Sequence, residues 1–209
     1  MSERGPRSHM VEHDLAPRGI TDERVLSAMA SVPREDFVPP EQVDSAYEDH
    51  PLAIGQGQTI SQPYIVALMA QLADVRPGHT VLELGTGSGY GAAVLSQLAG
   101  HVITIERLPE LAEQAARRLA GYPNVEVRVG DGSLGCADEA PFDAIVVTAA
   151  ASEVPAHLTD QLAEGGHLVI PVGRDRSVQQ LLRIDKRDGE LHEHAMGAVA
   201  FVPLVTDQP

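Results

Sequence analysis

The residues best suited to chemistry stand where apolar runs of strand length stop. Thr80-Val81-Leu82 leads into Glu83-Leu84-Gly85-Thr86-Gly87-Ser88-Gly89-Tyr90, an acid followed by glycines at alternate positions. His101 to Ile105 ends in Glu106, and Val125 to Val129 is followed by Gly130-Asp131-Gly132. Carboxylates placed there can accept hydrogen bonds from a ligand: Glu106 from a pair of ribose hydroxyls, Asp131 from an adenine amino group. Taken singly, Asp131 reads as a turn residue. Gly85 permits a sharp turn, Gly87 lets backbone approach a ligand without a Cβ in the way, and Gly89 lets a helix start close against its strand. A second kind of stretch lies upstream, Ile54-Gly55-Gln56-Gly57-Gln58-Thr59-Ile60-Ser61-Gln62-Pro63-Tyr64, with small hydroxyl and amide groups and little bulk.

Tyr90 narrows the ligand. A dinucleotide fingerprint needs glycine at that position, so that a pyrophosphate can rest on the helix N-terminus. The frame that must carry these residues alternates strands and helices. Tyr90 to Leu98 has helical spacing with Ala93, Val94 and Leu98 inward. Phe142 to Thr148 is a strand, apolar from Ala144 to Val147, as expected when both faces of a parallel sheet are covered. Pro155 to Leu162 reads as a helix and His167 to Pro171 as a fifth strand. Val178 to Asp185 and Leu191 to Val199 alternate as a hairpin turning at Arg187-Asp188-Gly189. The carboxyl ends of successive strands, where open α/β sheets bind ligands, therefore carry the candidate residues.

Upstream, Thr21 to Ala30 reads as a helix capped by Thr21, burying Val25, Leu26 and Met29. Prolines and mixed charges from Val32 to Pro40 break regular structure, so this region reads as a cover on the main sheet. Pro63 opens a helix whose apolar face is Ile65, Leu68, Met69 and Leu72, and Ser61 on its own reads as an N-cap.

Of the 209 residues 43% are hydrophobic, enough for one sizeable core. No apolar run approaches ~18 residues, so nothing spans a membrane. Met1 to Asp14 is polar, without the apolar core of a secretion signal, and reads as a disordered tail. Lys and Arg total 15 against 30 Asp and Glu, a formal net charge of -15 that repels phosphate backbones, and 3% aromatic residues leave little for base stacking. One cysteine, Cys136, excludes an internal disulfide framework and suits a reducing compartment. His192 and His194 share a strand face, but no third ligand is evident, so no metal is expected.

The pattern Glu-x-Gly-x-Gly-x-Gly resembles the first motif of the S-adenosylmethionine-dependent methyltransferases. That donor has no phosphate and bears cationic sulfonium and amino groups, which gives an acid at the strand end an electrostatic purpose. Together with Gly57-Gln-Thr-Ile-Ser-Gln-Pro, Val32-Pro-Arg-Glu-Asp-Phe-Val, Gly130-Asp-Gly, Pro141-Phe-Asp-Ala-Ile-Val-Val-Thr-Ala-Ala, Glu164-Gly-Gly-His-Leu-Val-Ile-Pro-Val-Gly and Phe201-Val-Pro-Leu, the chain resembles the protein-L-isoaspartate (D-aspartate) O-methyltransferase family from about residue 20 to about residue 205. Two positions depart from the family pattern. Ala53 stands where proline is usual, and Ala200 where bacterial members often have arginine.

The resemblance implies a doubly wound, mostly parallel Rossmann-like sheet with an antiparallel C-terminal strand and a small N-terminal helical cover. It implies a single methyltransferase domain over 15–209, with cover and substrate loop in 15–75 and the cofactor-binding sheet and C-terminal hairpin in 76–209. S-adenosylmethionine is the implied cofactor, held by Gln58, Thr59, Ile60, Glu83, Gly85, Thr86, Gly87, Ser88, Gly89, Glu106, Arg107, Gly130, Asp131, Gly132 and Thr148. Ser61 is the implied catalytic residue, orienting the α-carboxylate of an L-isoaspartyl residue. Ile54, Gln58, Thr59, Ile60 and Ser61, with Val202 and Pro203 opposite, would shape the peptide's path. The implied setting is a cytoplasmic monomer that repairs isoaspartyl proteins and peptides and binds neither nucleic acid nor membrane. The alternatives are tailoring of an aspartate in a dedicated partner peptide and non-catalytic binding of S-adenosylmethionine.

Overall fold

The computed structural model describes residues 5–175 and 178–205. The first elements are the short helix α1 (Pro6–His9), a helical run Met10–Leu15 and the helix α2 (Glu23–Ser31). Part of the stretch expected to be a disordered tail is thus regular. Residues 1–4 lie outside the described ones, but Met10 and Leu15 are fully buried. They join a cluster with Ile20, Val25 and Met29, so apolar burial orders a segment whose overall polarity hid it. The α2 cap also differs from expectation. Gln71 Oε1 accepts from the N–H groups of both Thr21 and Asp22, and Asp22, one residue later, caps the helix by accepting from Arg24 N–H at 2.9 Å.

The stretch read as a polar loop is a small antiparallel hairpin, β1 (Leu52–Gly55) and β2 (Gln58–Ile60), turning on Gln56 and Gly57. The helix α3 (Pro63–Leu72) follows, capped by Gln62 without a side-chain bond, so Ser61 is not its N-cap. Next come β3 (Thr80–Leu84), α4 (Tyr90–Ser96), β4 (His101–Glu106), α5 (Pro109–Arg118), β5 (Val125–Val129), β6 (Phe142–Val147), α6 (Ala156–Asp160), β7 (Leu162–Asp175), β8 (Val178–Arg187) and β9 (Glu190–Val199).

Seven strands form one sheet in the order β5-β4-β3-β6-β7-β8-β9. Pairing is parallel from β5 to β7 and antiparallel from β7 through β8 to β9, the doubly wound sheet with an antiparallel finish that the sequence implied. The chain runs outward from β3 to β5 and then returns to place β6 on the other side of β3. That reversal opens a crevice above the carboxyl ends of β3 and β6. Alternation along the strands sends Val81, Val102, Val146 and Val169 to the face covered by the N-terminal elements, α3 and α4, and Leu82, Ile103, Ile145 and Leu168 to the opposite face.

Candidate active site

The turn after β3 is built so that backbone faces the crevice. Gly85 has φ +95°, and its N–H donates to Ile105 carbonyl oxygen at 2.9 Å. A Cβ there would meet Thr148 Oγ1 at 2.4 Å, because the Thr148 hydroxyl donates to Gly85 carbonyl oxygen at 2.7 Å. Glycine at 85 is thus set by both conformation and contact. From the end of β4 the Glu106 carboxylate reaches across and accepts from Gly87 N–H at 2.8 Å and Leu108 N–H at 3.0 Å. A cleft of about 230 Å³ lies beside these groups. Its walls are Gln56, Gln58 and Thr59 of the hairpin, Gly85 and Gly87, Ile105 to Leu108, Gly132, Thr148 and Ala149, and Val202 to Val205. The C-terminal wall is pinned by Ala150 N–H donating to Val202 carbonyl oxygen at 2.8 Å and Leu204 N–H to Ala150 carbonyl oxygen at 2.7 Å. At the hairpin tip, Gln56 Nε2 donates to Glu110 Oε2 at 2.6 Å.

A second, wider cleft of about 760 Å³ adjoins the first. It is lined by Arg18, Pro51, Thr59, Ser61, Gln62, Tyr64, Ile65, Thr148 and Ala198 to Val202. Thr59, Thr148 and Val202 line both clefts, and Ser61 stands on the second side of that junction. Behind Ser61, its carbonyl oxygen accepts from Arg34 Nη2 at 2.8 Å. Arg18 stacks on Tyr64, 3.7 Å from the ring centroid.

Not every expected ligand residue reaches the clefts. Gln58, Thr59, Gly85, Gly87, Glu106, Arg107, Gly132 and Thr148 line the first one; Ser61, Thr59 and Val202 line the second; Pro203 lines the first. Ile60 is buried, and Ile54 is buried with its Cδ1 3.5 Å from where a Gly87 Cβ would stand. Thr86, Ser88 and Gly89 lie beneath the loop surface, and neither Gly130 nor Asp131 lines either cleft. Asp131 Oδ1 accepts from Ser133 N–H at 2.9 Å and from Ser133 Oγ at 2.7 Å, the geometry of a turn residue.

Glu83 departs most from expectation. It is 1% exposed and points to the face covered by α3 and α4, where Thr104 Oγ1 donates to its Oε2 at 2.6 Å and itself lies 2.6 Å from Thr86 Oγ1. Burial pushes its carboxyl up to about 8, so it is mostly neutral at pH 7. It borders a small cavity of about 30 Å³ that Ser61 and Thr148 also line. Residues that sequence reasoning missed include Gln56, Leu108, Leu204 and Val205 on the first cleft and Arg18 and Tyr64 on the second. Leu108 was within reach of inference, two residues past an acid assigned to the site. Arg18 is brought in only by the fold of the N-terminal cover.

The chain is similar to known proteins over nearly its whole length. A model of the family "Protein-L-isoaspartate(D-aspartate) O-methyltransferase (PCMT)" matches residues 6–209. A protein-L-isoaspartate O-methyltransferase of Methanoculleus marisnigri is 53% identical over 204 residues, covering 97% of this chain and 92% of its own. One of Protochlamydia amoebophila is 55% identical over 199 residues, covering 94% and 95%. Among solved structures, a putative protein-L-isoaspartate O-methyltransferase from Plasmodium falciparum, in complex with S-adenosyl-L-homocysteine, superposes with a TM-score of 0.83 at 28% identity, covering 97% of this chain and 99% of that one.

Proposed function

The chain belongs to the protein-L-isoaspartate (D-aspartate) O-methyltransferase family, and from that premise we propose how its two clefts divide the work of methylating the α-carboxylate of L-isoaspartyl residues in damaged proteins. The cofactor is S-adenosylmethionine, which when bound supplies an electrophilic methyl group on a sulfonium and departs as a neutral thioether. The first cleft fits that molecule: its floor is backbone at Gly85 and Gly87, and the Glu106 carboxylate keeps lone pairs for ribose hydroxyls beyond its two backbone donors. Gln58, Thr59, Arg107, Gly132 and Thr148 complete that wall. Thr86, Ser88, Gly89, Gly130 and Asp131 act from behind it, by shaping the loops.

The observation that carries the reading is the junction of the clefts at Thr59, Thr148 and Val202, with Ser61 on the acceptor side. An isoaspartyl α-carboxylate is already ionised at neutral pH, so no general base is needed. The protein's task is to hold one carboxylate oxygen in line, a proximity effect that can reach ~7 kcal/mol or more. Ser61 does this by donating its hydroxyl to the carboxylate, while Val202 and Phe201 form the opposite wall. The ester cyclises as the following backbone nitrogen expels methanol, and hydrolysis of the resulting succinimide returns part of the chain to normal aspartate.

Tailoring of a dedicated peptide and non-catalytic binding are not favoured, because relatives more than half identical over nearly the whole chain are named for isoaspartate methylation. The net charge of -15 supports a protein that avoids nucleic acid and stays monomeric, and the single cysteine suits the reducing cytoplasm. Among the described residues no helix is long and apolar enough to cross a membrane. The test supplies labelled S-adenosylmethionine with matched isoaspartyl and aspartyl peptides. Label is expected on the isoaspartyl peptide alone, and Ser61→Ala is expected to lower kcat by roughly 10- to 1,000-fold with cofactor affinity nearly intact. An unchanged kcat removes Ser61 from the chemistry.

A further inference from the structure

Arg34 is fully buried, and among the described residues it has no carboxylate within ion-pair distance. Its Nε donates to Ala46 carbonyl oxygen at 2.7 Å and its Nη2 to Ser61 carbonyl oxygen at 2.8 Å. Its guanidinium carbon lies 4.8 Å from the centroid of the Tyr90 ring, which Phe37 holds from the side in an edge contact at 5.7 Å. Its Nη1 is the buried side-chain polar atom left without a partner among the described residues. Burial pushes the guanidinium down to about 10, which leaves it cationic at neutral pH.

A buried cation with only the longer-range pull of the Asp49 carboxylate, and no ion pair, is an expensive way to fill space, since an apolar side chain of similar volume would do so more cheaply. What the guanidinium does that an apolar side chain cannot is join three parts of the molecule. Ala46 belongs to the N-terminal cover, Ser61 to the turn between β2 and α3, and Tyr90 is the first residue of α4, directly after the glycine-bearing loop. Asp49 holds the far side of the turn, accepting from Gln62 Nε2 at 2.6 Å and from Tyr64 N–H at 3.2 Å, while the Ser61 carbonyl itself is held by Arg34. The bond to Ser61 is charge-assisted, and stacking on Tyr90 references it to the loop beneath the first cleft.

We propose that Arg34 is a positioning residue for methyl transfer: by clamping the Ser61 carbonyl against Tyr90, it sets the separation between the acceptor turn and the glycine-bearing loop. This rests on the reading of Ser61 as the group that orients the substrate carboxylate. Misplacement by about 1 Å can cost on the order of 100-fold in rate, so the clamp bears on kcat more than on cofactor binding.

Arg34→Lys and Arg34→Gln, each alone and combined with Ser61→Ala, test this with an isoaspartyl peptide and labelled S-adenosylmethionine, alongside calorimetry with S-adenosylhomocysteine. On the native background kcat falls about 10- to 100-fold while the S-adenosylhomocysteine Kd stays within about 2-fold. Lysine does not rescue, because it lacks the planar fork that serves two carbonyls while stacking on a ring. On the Ser61→Ala background the same substitutions cost less than about 2-fold, since no hydroxyl is left to place. Equal losses on both backgrounds, or full activity of Arg34→Lys, overturn the proposal while leaving Ser61 in its role. An unchanged kcat in Ser61→Ala alone overturns both. If neither Arg34 variant binds S-adenosylhomocysteine, the native protein decides: with S-adenosylhomocysteine present, the Arg34 Nε–H resonance shifts on adding an isoaspartyl peptide but not an aspartyl one, and an unmoved resonance overturns the proposal.

Discussion

The carboxylate of Glu106 accepts from two backbone N–H groups at the rim of a cleft, whereas that of Glu83 is sealed beneath the glycine loop with Thr104 donating to it. Both are acids near the carboxyl ends of neighbouring strands, and residue type alone does not separate them. Alternation does not either, since Glu106 has the parity of Thr104; position does, because Glu83 lies within β3, paired in register with Thr104 and Val146 under α3 and α4, whereas Glu106 is the last residue of β4. The consequence is a stability that depends on pH. Burial raises the folded carboxyl to about 8 from an ordinary value of 4.5, so folding favours the protonated form. No penalty is felt below the unfolded value. Stability is then lost as pH climbs through the interval and levels off above the folded value, a total on the order of a few kcal/mol. Glu83→Gln keeps an acceptor for Thr104 and removes the titration. Its denaturant midpoint, measured relative to the native protein, should therefore rise from pH 5 to about pH 8 and level off above that. Parallel profiles for the two proteins would show that Glu83 titrates normally.

At the scale of elements, the strand–loop–helix unit from Thr80 to Ser96 was legible because its signals are local: an apolar run, glycines at fixed offsets and a helical period. The hairpin before it was not. Its strands have four and three residues, too short to show alternation, and its turn uses Gln56 at φ +52° followed by Gly57 at φ +70°. Positive φ at both positions suits a tight hairpin turn, but glutamine does not announce one as asparagine or aspartate would. Cleft assignments were legible to the same degree. Gly85, Gly87 and Glu106 follow from strand ends, while Arg18 and Tyr64 depend on how the cover folds back. Gly85→Ala probes the unit as a whole. The new methyl must sit at a left-handed φ of +95° and 2.4 Å from Thr148 Oγ1, in a hydroxyl that bridges β3 to β6. Conformational strain alone costs about 1–2 kcal/mol, and relieving the clash breaks the Thr148 bonds as well. The variant is expected to unfold at lower denaturant and to lose most S-adenosylhomocysteine binding by calorimetry. Native affinity in that variant would mean that the loop tolerates a side chain and does not present bare backbone to the ligand.

Across the whole molecule, the parallel layer was visible as apolar runs, whereas the role of the first twenty residues was not. Met10-Val11-Glu12-His13-Asp14-Leu15 carries too few apolar residues in too polar a setting to declare a buried face, and that face exists only against α2 and α3. Met10 and Leu15 belong to a single apolar cluster that continues through Met29, Phe37 and Tyr90 to Val81, Val146 and Val169 of the sheet. We infer that cover and sheet unfold as one cooperative unit, so damage at residue 15 should be felt by the sheet itself. Leu15→Ala leaves a cavity under a fully buried side chain, for which the usual cost is about 2–5 kcal/mol. In a chain of this size each kcal/mol lowers Tm by roughly 2–4 °C, so calorimetry should show one transition, moved down by about 5–15 °C. A frayed tail would give no movement, and an independently folded cover would split the transition in two. Because the same cluster holds Tyr90 and Phe37 around Arg34, the variant should lose activity in step with the sheet's circular dichroism as it nears its lowered Tm, and activity lost well ahead of that signal would mean that the cover opens by itself.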